Sequence, residues 1–118
     1  MNLAAKLQLK PGQSVAIVNA PEDAPLDLGG HPAAQRPDQA EAVIVYCANR
    51  AELEQFRDEF VQPAQRDVLT WIAYPKAGQL GTDLTRNVVA TLAGEDGVQP
   101  VRQVALDEVW SALRLRPA

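Results

Sequence analysis

Ala42-Val43-Ile44-Val45-Tyr46-Cys47 and Val68-Leu69-Thr70-Trp71-Ile72-Ala73-Tyr74 decide the fold of this chain. Both are apolar runs of strand length, and each is followed by a helical pattern. The segment from Arg50 to Val61 repeats apolar residues at Leu53, Phe56, Phe60 and Val61. The segment from Asp83 to Ala93 does so at Leu84, Val88, Val89 and Leu92. A strand with one wet face alternates apolar and polar residues, whereas a strand apolar throughout is covered on both sides. Such strands alternating with helices mark a parallel sheet between helical layers. The second run carries a Trp and a Tyr and predicts the central strand.

Upstream, Leu3 to Leu9 predicts a short helix with Leu3, Ala4 and Leu7 on one side, ended by Lys10-Pro11-Gly12. Ser14 to Asn19 predicts the first strand. From Pro21 to Gln39 the composition shifts to four prolines, adjacent glycines and scattered acids. That length suffices for a crossover between parallel strands, which needs about a dozen residues, with one turn of helix around Leu26. Asn49 and Glu52 stand in capping-box positions at the start of the first long helix, and Pro63 marks its end. Thr82 or Asp83 is the expected cap of the next helix, and Gly94 its stop. Val101 to Leu106 and Val109 to Leu115 predict two closing strands. Their short join at Asp107-Glu108 permits only an antiparallel hairpin, with a turn wider than two residues because neither is Gly or Asn.

The 118 residues predict a single domain, 1–118, with one core. Apolar residues make up 47% and charged residues 22%, ordinary values for a globular chain. The net charge is -4, with no basic stripe of the kind that phosphate backbones require, so nucleic acid is not an expected partner. The one cysteine, Cys47, excludes an internal disulfide and fits a reducing compartment. The first residues lack the apolar stretch of a signal peptide, and no run reaches membrane-spanning length. A cytoplasmic protein with no membrane partner is therefore expected.

Leu9-Lys10-Pro11-Gly12-Gln13-Ser14-Val15 resembles the approach to the first strand in class I methyltransferases, and the closing hairpin resembles theirs. The resemblance implies a truncated, Rossmann-like α/β architecture. It departs where the chemistry would sit. The turn Asn19-Ala20-Pro21-Glu22-Asp23-Ala24 has no glycine until Gly29, and too few residues follow to supply a ribose-binding acidic strand. No cofactor is therefore expected, since a fold does not carry its function with it. Three segments resemble the bacterial family known as domain of unknown function 3052. They are Trp71-Ile72-Ala73-Tyr74-Pro75-Lys76, Thr82-Asp83-Leu84-Thr85-Arg86, and Val104-Ala105-Leu106-Asp107-Glu108-Val109-Trp110-Ser111-Ala112-Leu113-Arg114. That resemblance implies a fold and transfers no activity.

The expected architecture is a three-layer α/β sandwich. Its five-stranded, mostly parallel sheet has the order first, second, third, fifth, fourth, with the last strand antiparallel. Ligands of open parallel sheets bind at the carboxyl ends of the strands, near a topological switch point. The candidate ligand-binding residues at that rim are Asn19, Lys76, Thr82, Asp83, Arg86, Asp107 and Trp110. Arg86, a cation in a first helical turn, opposes the macrodipole and is explained by a carboxylate from Asp107, Glu108 or a ligand. Lys76 with the helix start at Thr82-Asp83 could hold an anion. Each has a structural alternative: Arg86 and Lys76 pointing to water, Trp110 covering the edge of the core.

Cys47 reads as a buried, inert thiol and His31 as a surface loop residue. Glu52, Glu54, Asp58 and Glu59 read as the wet face of a helix. No catalytic residue and no metal site is expected from one Cys and one His. The expected function is a non-catalytic binding or protein-interaction domain, with a homodimer or another protein as partner because small sheets must protect their edges. The alternative is an enzyme or sensor holding a small anionic ligand at the carboxyl rim.

Overall fold

The computed structural model describes residues 3–21, 31–34 and 39–118. The crossover turn expected around Leu26 lies outside these residues. The elements are α1 (Leu3–Lys6), β1 (Val15–Val18), β2 (Ala42–Tyr46), α2 (Arg50–Gln55), α3 (Arg57–Gln65), β3 (Leu69–Pro75), α4 (Arg86–Glu95), β4 (Val98–Ala105) and β5 (Trp110–Pro117). The strands form one sheet in the order β1-β2-β3-β5-β4.

The sheet is mixed rather than mostly parallel. Only β1–β2 and β2–β3 pair parallel, whereas β3–β5 and β4–β5 pair antiparallel. β4 runs the same way as β3, yet β5 lies between them, so no third parallel pairing forms. The sandwich is also lopsided. Val43, Val45, Cys47, Ile72, Tyr74, Leu113 and Leu115 face one side, packed against Leu53 of α2, Phe60, Val61 and Ala64 of α3, and Val89 and Ala93 of α4. Ile44, Tyr46, Trp71, Ala73, Trp110 and Ala112 face the other side, where Leu7 and partly buried Leu3 and Leu9 cover them. The cause is topological. β1, β2 and β3 succeed one another without reversal, and right-handed crossovers that advance in one direction place their helices on one face. The same monotonic order leaves no switch point among the described strands.

β2 is buried along its whole length, and β3 along all but Leu69. β3 occupies the centre, where its Trp71 indole donates to the Leu7 carbonyl at 3.0 Å and ties α1 to the sheet. Both sheet edges are blunted within the chain. On the β1 side, Val15 bridges Ala33, with bonds of 2.9 Å to Pro32 O and from Ala34 N. On the β4 side, the register shifts between Pro100 and Arg102. A proline, a bulge and a charge are common defences of an edge strand. Edge protection therefore gives no reason of its own for a dimer.

Several element boundaries differ from expectation. The helix expected over Arg50–Val61 is two, broken at Phe56, and Pro63 lies inside α3. α3 ends two residues later because Asp67 takes a left-handed conformation (φ 59). Val68 N then bonds Pro63 O at 2.9 Å and Asp67 N bonds Ala64 O at 3.0 Å, a Schellman closure. α4 starts at Arg86 with Thr85 as its cap, not Thr82 or Asp83. It runs through Gly94, and the left-handed glycine just beyond it is Gly97 (φ 76). β4 begins at Val98, three residues early. The hairpin join spans Leu106 to Val109, with Asp107 Oδ1 accepting from Val109 N at 2.8 Å and Trp110 N at 2.7 Å. A side-chain-closed turn of this kind replaces the glycine that a two-residue hairpin would need.

Candidate functional site

The carboxyl rim of the sheet divides into three neighbourhoods. The first surrounds the start of α2. Asn49 Oδ1 accepts from Glu52 N at 2.9 Å, as the capping pattern predicted. Glu52 is half-buried rather than on a wet face, and its Oε1 accepts from Ala48 N at 2.8 Å. The same oxygen accepts from Asn19 Nδ2 at 3.0 Å, and that amide also donates to Tyr46 O at 3.0 Å. Asn19 holds its amide there with a left-handed backbone (φ 60), which Asn tolerates better than most residues. The Thr82 hydroxyl donates to Ala48 O at 2.7 Å and accepts from Leu84 N at 3.1 Å. Asp83 Oδ1 accepts from Arg50 N at 2.9 Å. Asp83 thus caps the first turn of α2, a helix 33 residues away, instead of opening its own.

The second neighbourhood is the β4–β5 turn. Lys76 N donates to Val109 O at 2.7 Å, which seats Lys76 against this turn. Asp107 closes the turn with its side-chain Oδ1, as described. Trp110 is 7% exposed and meets Tyr46 edge-on, with ring centroids 5.0 Å apart, so it belongs to the core and offers no stacking face. Burial, reinforced by the Asp107 carboxylate, pushes the Tyr46 hydroxyl up to about 12.

The third neighbourhood lies on the helix-covered face. Tyr74 and Ser111 are cross-strand partners, and Gln103 Nε2 donates to both, at 3.2 Å to Tyr74 Oη and 3.3 Å to Ser111 Oγ. Burial raises the Tyr74 pKa, while the Arg86 cation and the Ser111 hydroxyl pull it back. Arg86 acts on Tyr74 on one face and Asp107 acts on Tyr46 on the other. The expected Arg86–Asp107 or Arg86–Glu108 meeting does not form. Among the described residues the ion pairs are Arg57–Asp96 and Arg116–Asp67.

Thus Asn19, Thr82 and Asp83 come together, Lys76, Asp107 and Trp110 come together elsewhere, and Arg86 stands with neither group. Tyr74, Gln103 and Ser111 were missed. Period-two alternation on β3 and β5 places Tyr74 and Ser111 on one face, but only the strand pairing joins them. Cys47 is buried, its thiol pushed up to about 12 by burial and then by Glu52. A neutral thiol of that kind is a poor nucleophile. His31 is half-buried, with Nδ1 3.1 Å from Gln13 O. An open depression of about 220 Å³ lies between α2 and α4, lined by Arg50, Asn87, Val88, Thr91 and Leu92. No helix among the described residues is long and apolar enough to cross a membrane.

These features define an α/β chain with a Rossmann-like, methyltransferase-like arrangement of its five-stranded sheet. No family model matches the chain, and no curated protein matches it. Among solved structures it is similar to LepI in complex with SAM, at 15% identity and a TM-score of 0.51, covering 98% of this chain and 39% of that one. At that identity the likeness is one of fold. The chain spans well under half the length of LepI.

Proposed function

We propose that this chain is a non-catalytic binding or protein-interaction domain on a methyltransferase-like scaffold. One observation carries the reading. The polar groups that end β1 and β2 are engaged with one another and with backbone, through Asn19, Asn49, Glu52, Thr82 and Asp83. A ligand seated there would have to break bonds that hold the start of α2. The turn after β1 begins with a hydrogen-bonded Asn, where a glycine would let a ligand approach the backbone. LepI was solved with SAM; on this reading the present chain does not take it. Kinship with domain of unknown function 3052 and a cytoplasmic location belong to the same proposal, the former resting on the three segments quoted above. The partner is a protein, either another chain or a second copy of this one. With both edges blunted, a homodimer would meet through a face.

The second reading, an enzyme or sensor holding a small anion at the rim, draws on Arg86. This exposed cation sits in the first turn of α4 without an ion-pair partner among the described residues. A thermal-shift screen with SAM, nucleotides and phosphorylated metabolites separates the two. Ligand at about 100 times its Kd stabilises by about 2.7 kcal/mol. The binding-domain reading expects no shift at the rim. A shift that Arg86→Ala abolishes would replace it with the second reading. Solution mass at rising concentration tests the homodimer, and a strict monomer removes it.

A further inference from the structure

We propose that the face of the sheet opposite α2–α4 carries an oxyanion site, formed by Arg102 and Arg114, that takes a phosphate group. The inference goes beyond the reading above and stands without it, since it uses no residue of the carboxyl rim.

Three observations converge there. Arg102 and Arg114 are cross-strand partners, one on β4 and one on β5. Facing pairs place their Cβ atoms about 4.5–5.5 Å apart, and like charges so placed destabilise a sheet. A protein whose net charge is -4 has nonetheless set two guanidinium groups side by side. Second, Arg114 Nε is buried and donates to no acceptor among the described residues, while its Nη1 is held by Gln8 Oε1. Buried donors without partners are rare in native proteins, and each calls for an explanation. Third, the nearby acid is already committed. Asp67 binds Arg116 through both oxygens, at 3.0 and 3.1 Å. Burial, then Arg116, disfavour the charged form of Arg114; Asp67 offsets this in part, and Arg102 adds a smaller push the same way as burial.

A tetrahedral dianion resolves all three. It supplies acceptors to the orphaned Nε–H and to the adjacent guanidinium in the forked geometry that Arg favours, and it neutralises two neighbouring cations. Trp71, paired with Arg114 on the same row and wholly buried, holds the Arg114 stem from one side. Gln8 fixes its head. The site is therefore anchored at Arg114, with exposed Arg102 as the mobile jaw.

The test is a titration of the full chain with inorganic phosphate at constant ionic strength, read by the Arg Nε–Hε signals in NMR. Phosphate is carried to roughly 10 mM, ten times a millimolar Kd. The expected result is a saturable shift of the Arg114 Nε–Hε signal. Arg102→Gln weakens binding about tenfold, as the loss of one charge-assisted hydrogen bond implies, and Arg86→Gln leaves it unchanged. Arg102 is exposed, so its variant folds even where Arg114→Lys does not. No saturable shift, an equal affinity in Arg102→Gln, or an identical response to acetate would each overturn the phosphate site. Loss of the shift in Arg86→Gln would move the anion to the rim. That result would overturn this proposal and favour the second reading of function.

Discussion

Asn19 gives the sharpest test of how the rim is built, because two replacements lose the same bonds and differ in the size of their effect. Its side chain donates to Tyr46 O and to Glu52 Oε1, both at 3.0 Å, from a backbone at φ 60. Each hydrogen bond contributes about 1 kcal/mol net; the bond to Glu52 is held to that value because it is exposed. Glycine at this position loses both bonds, about 2 kcal/mol, and relaxes a left-handed conformation that costs Asn little. Asn19→Gly should therefore destabilise by about 1–2 kcal/mol. Asn19→Ala loses the same bonds and adds about 1 kcal/mol of left-handed strain, about 3 kcal/mol in all. Urea denaturation at equilibrium reads both values. In a chain of this size each kcal/mol also moves Tm by about 3–6 °C. Glu52→Ala in the Asn19→Gly background should cost about 1 kcal/mol less than in the parent, the coupling of a direct contact. An Asn19→Gly variant as stable as the parent, or more stable, would refute the reasoning. The side chain would then be free, and the turn after β1 would tolerate the glycine of a ligand-binding loop.

Asp83→Ala should lower stability by about 1 kcal/mol in a urea melt, because the Arg50 N–H at the start of α2 loses its acceptor; Asp83→Asn, which keeps an oxygen there, should recover part of the loss. Cys47 should resist alkylation in the folded protein near pH 8.5, where a free thiol is about half ionised, and should label only as the chain unfolds; full labelling under native conditions would contradict its burial. Tyr46 titrates at about 12 when folded, against 10.0 in the unfolded chain. A raised pKa means that the folded state holds its proton longer, so this contribution is complete below pH 10 and is lost as pH rises toward 12. Denaturation across that window should show the loss in the parent and a smaller one in Tyr46→Phe.

The parts of the fold that could be read from the chain are those set by local pattern. The runs at β2 and β3 are apolar on both faces, and nothing else in the sequence competes with them for the centre. The capping pair Asn49 and Glu52 is likewise local, three residues apart. What could not be read depends on contacts between distant segments. Asp83 precedes an apolar helical pattern and carries every mark of its cap, yet its carboxylate is drawn to α2. Thr85 is left to cap α4, with Oγ1 accepting from Val88 N at 3.2 Å. Pro63 reads as a stop, but its ring packs into the core and α3 closes two residues later on Asp67. Glycine is the usual residue at that closure, and an Asp there is recognisable only once its partner Arg116 is seen. At the candidate site the same division holds. The strand ends place Asn19, Thr82 and Asp83 near one another, while the side of the sheet on which Arg86 and Asp107 act follows from pairing register. Arg102 and Arg114 gave no local signal, since only the register of β4 on β5 makes them neighbours.

Amide hydrogen exchange at the start of α2 tests the closed rim most directly. The first amides of a helix ordinarily exchange freely, because no carbonyl precedes them in the turn. Here Ala48 N–H, Arg50 N–H and Glu52 N–H are each bonded to a side-chain oxygen, from Glu52, Asp83 and Asn49. The account expects all three to exchange slowly, with Arg50 released in Asp83→Ala and Ala48 in Glu52→Ala. Free exchange at Ala48 and Arg50 in the parent chain would mean that the rim is open, and the case for a binding domain built on a closed site would fail.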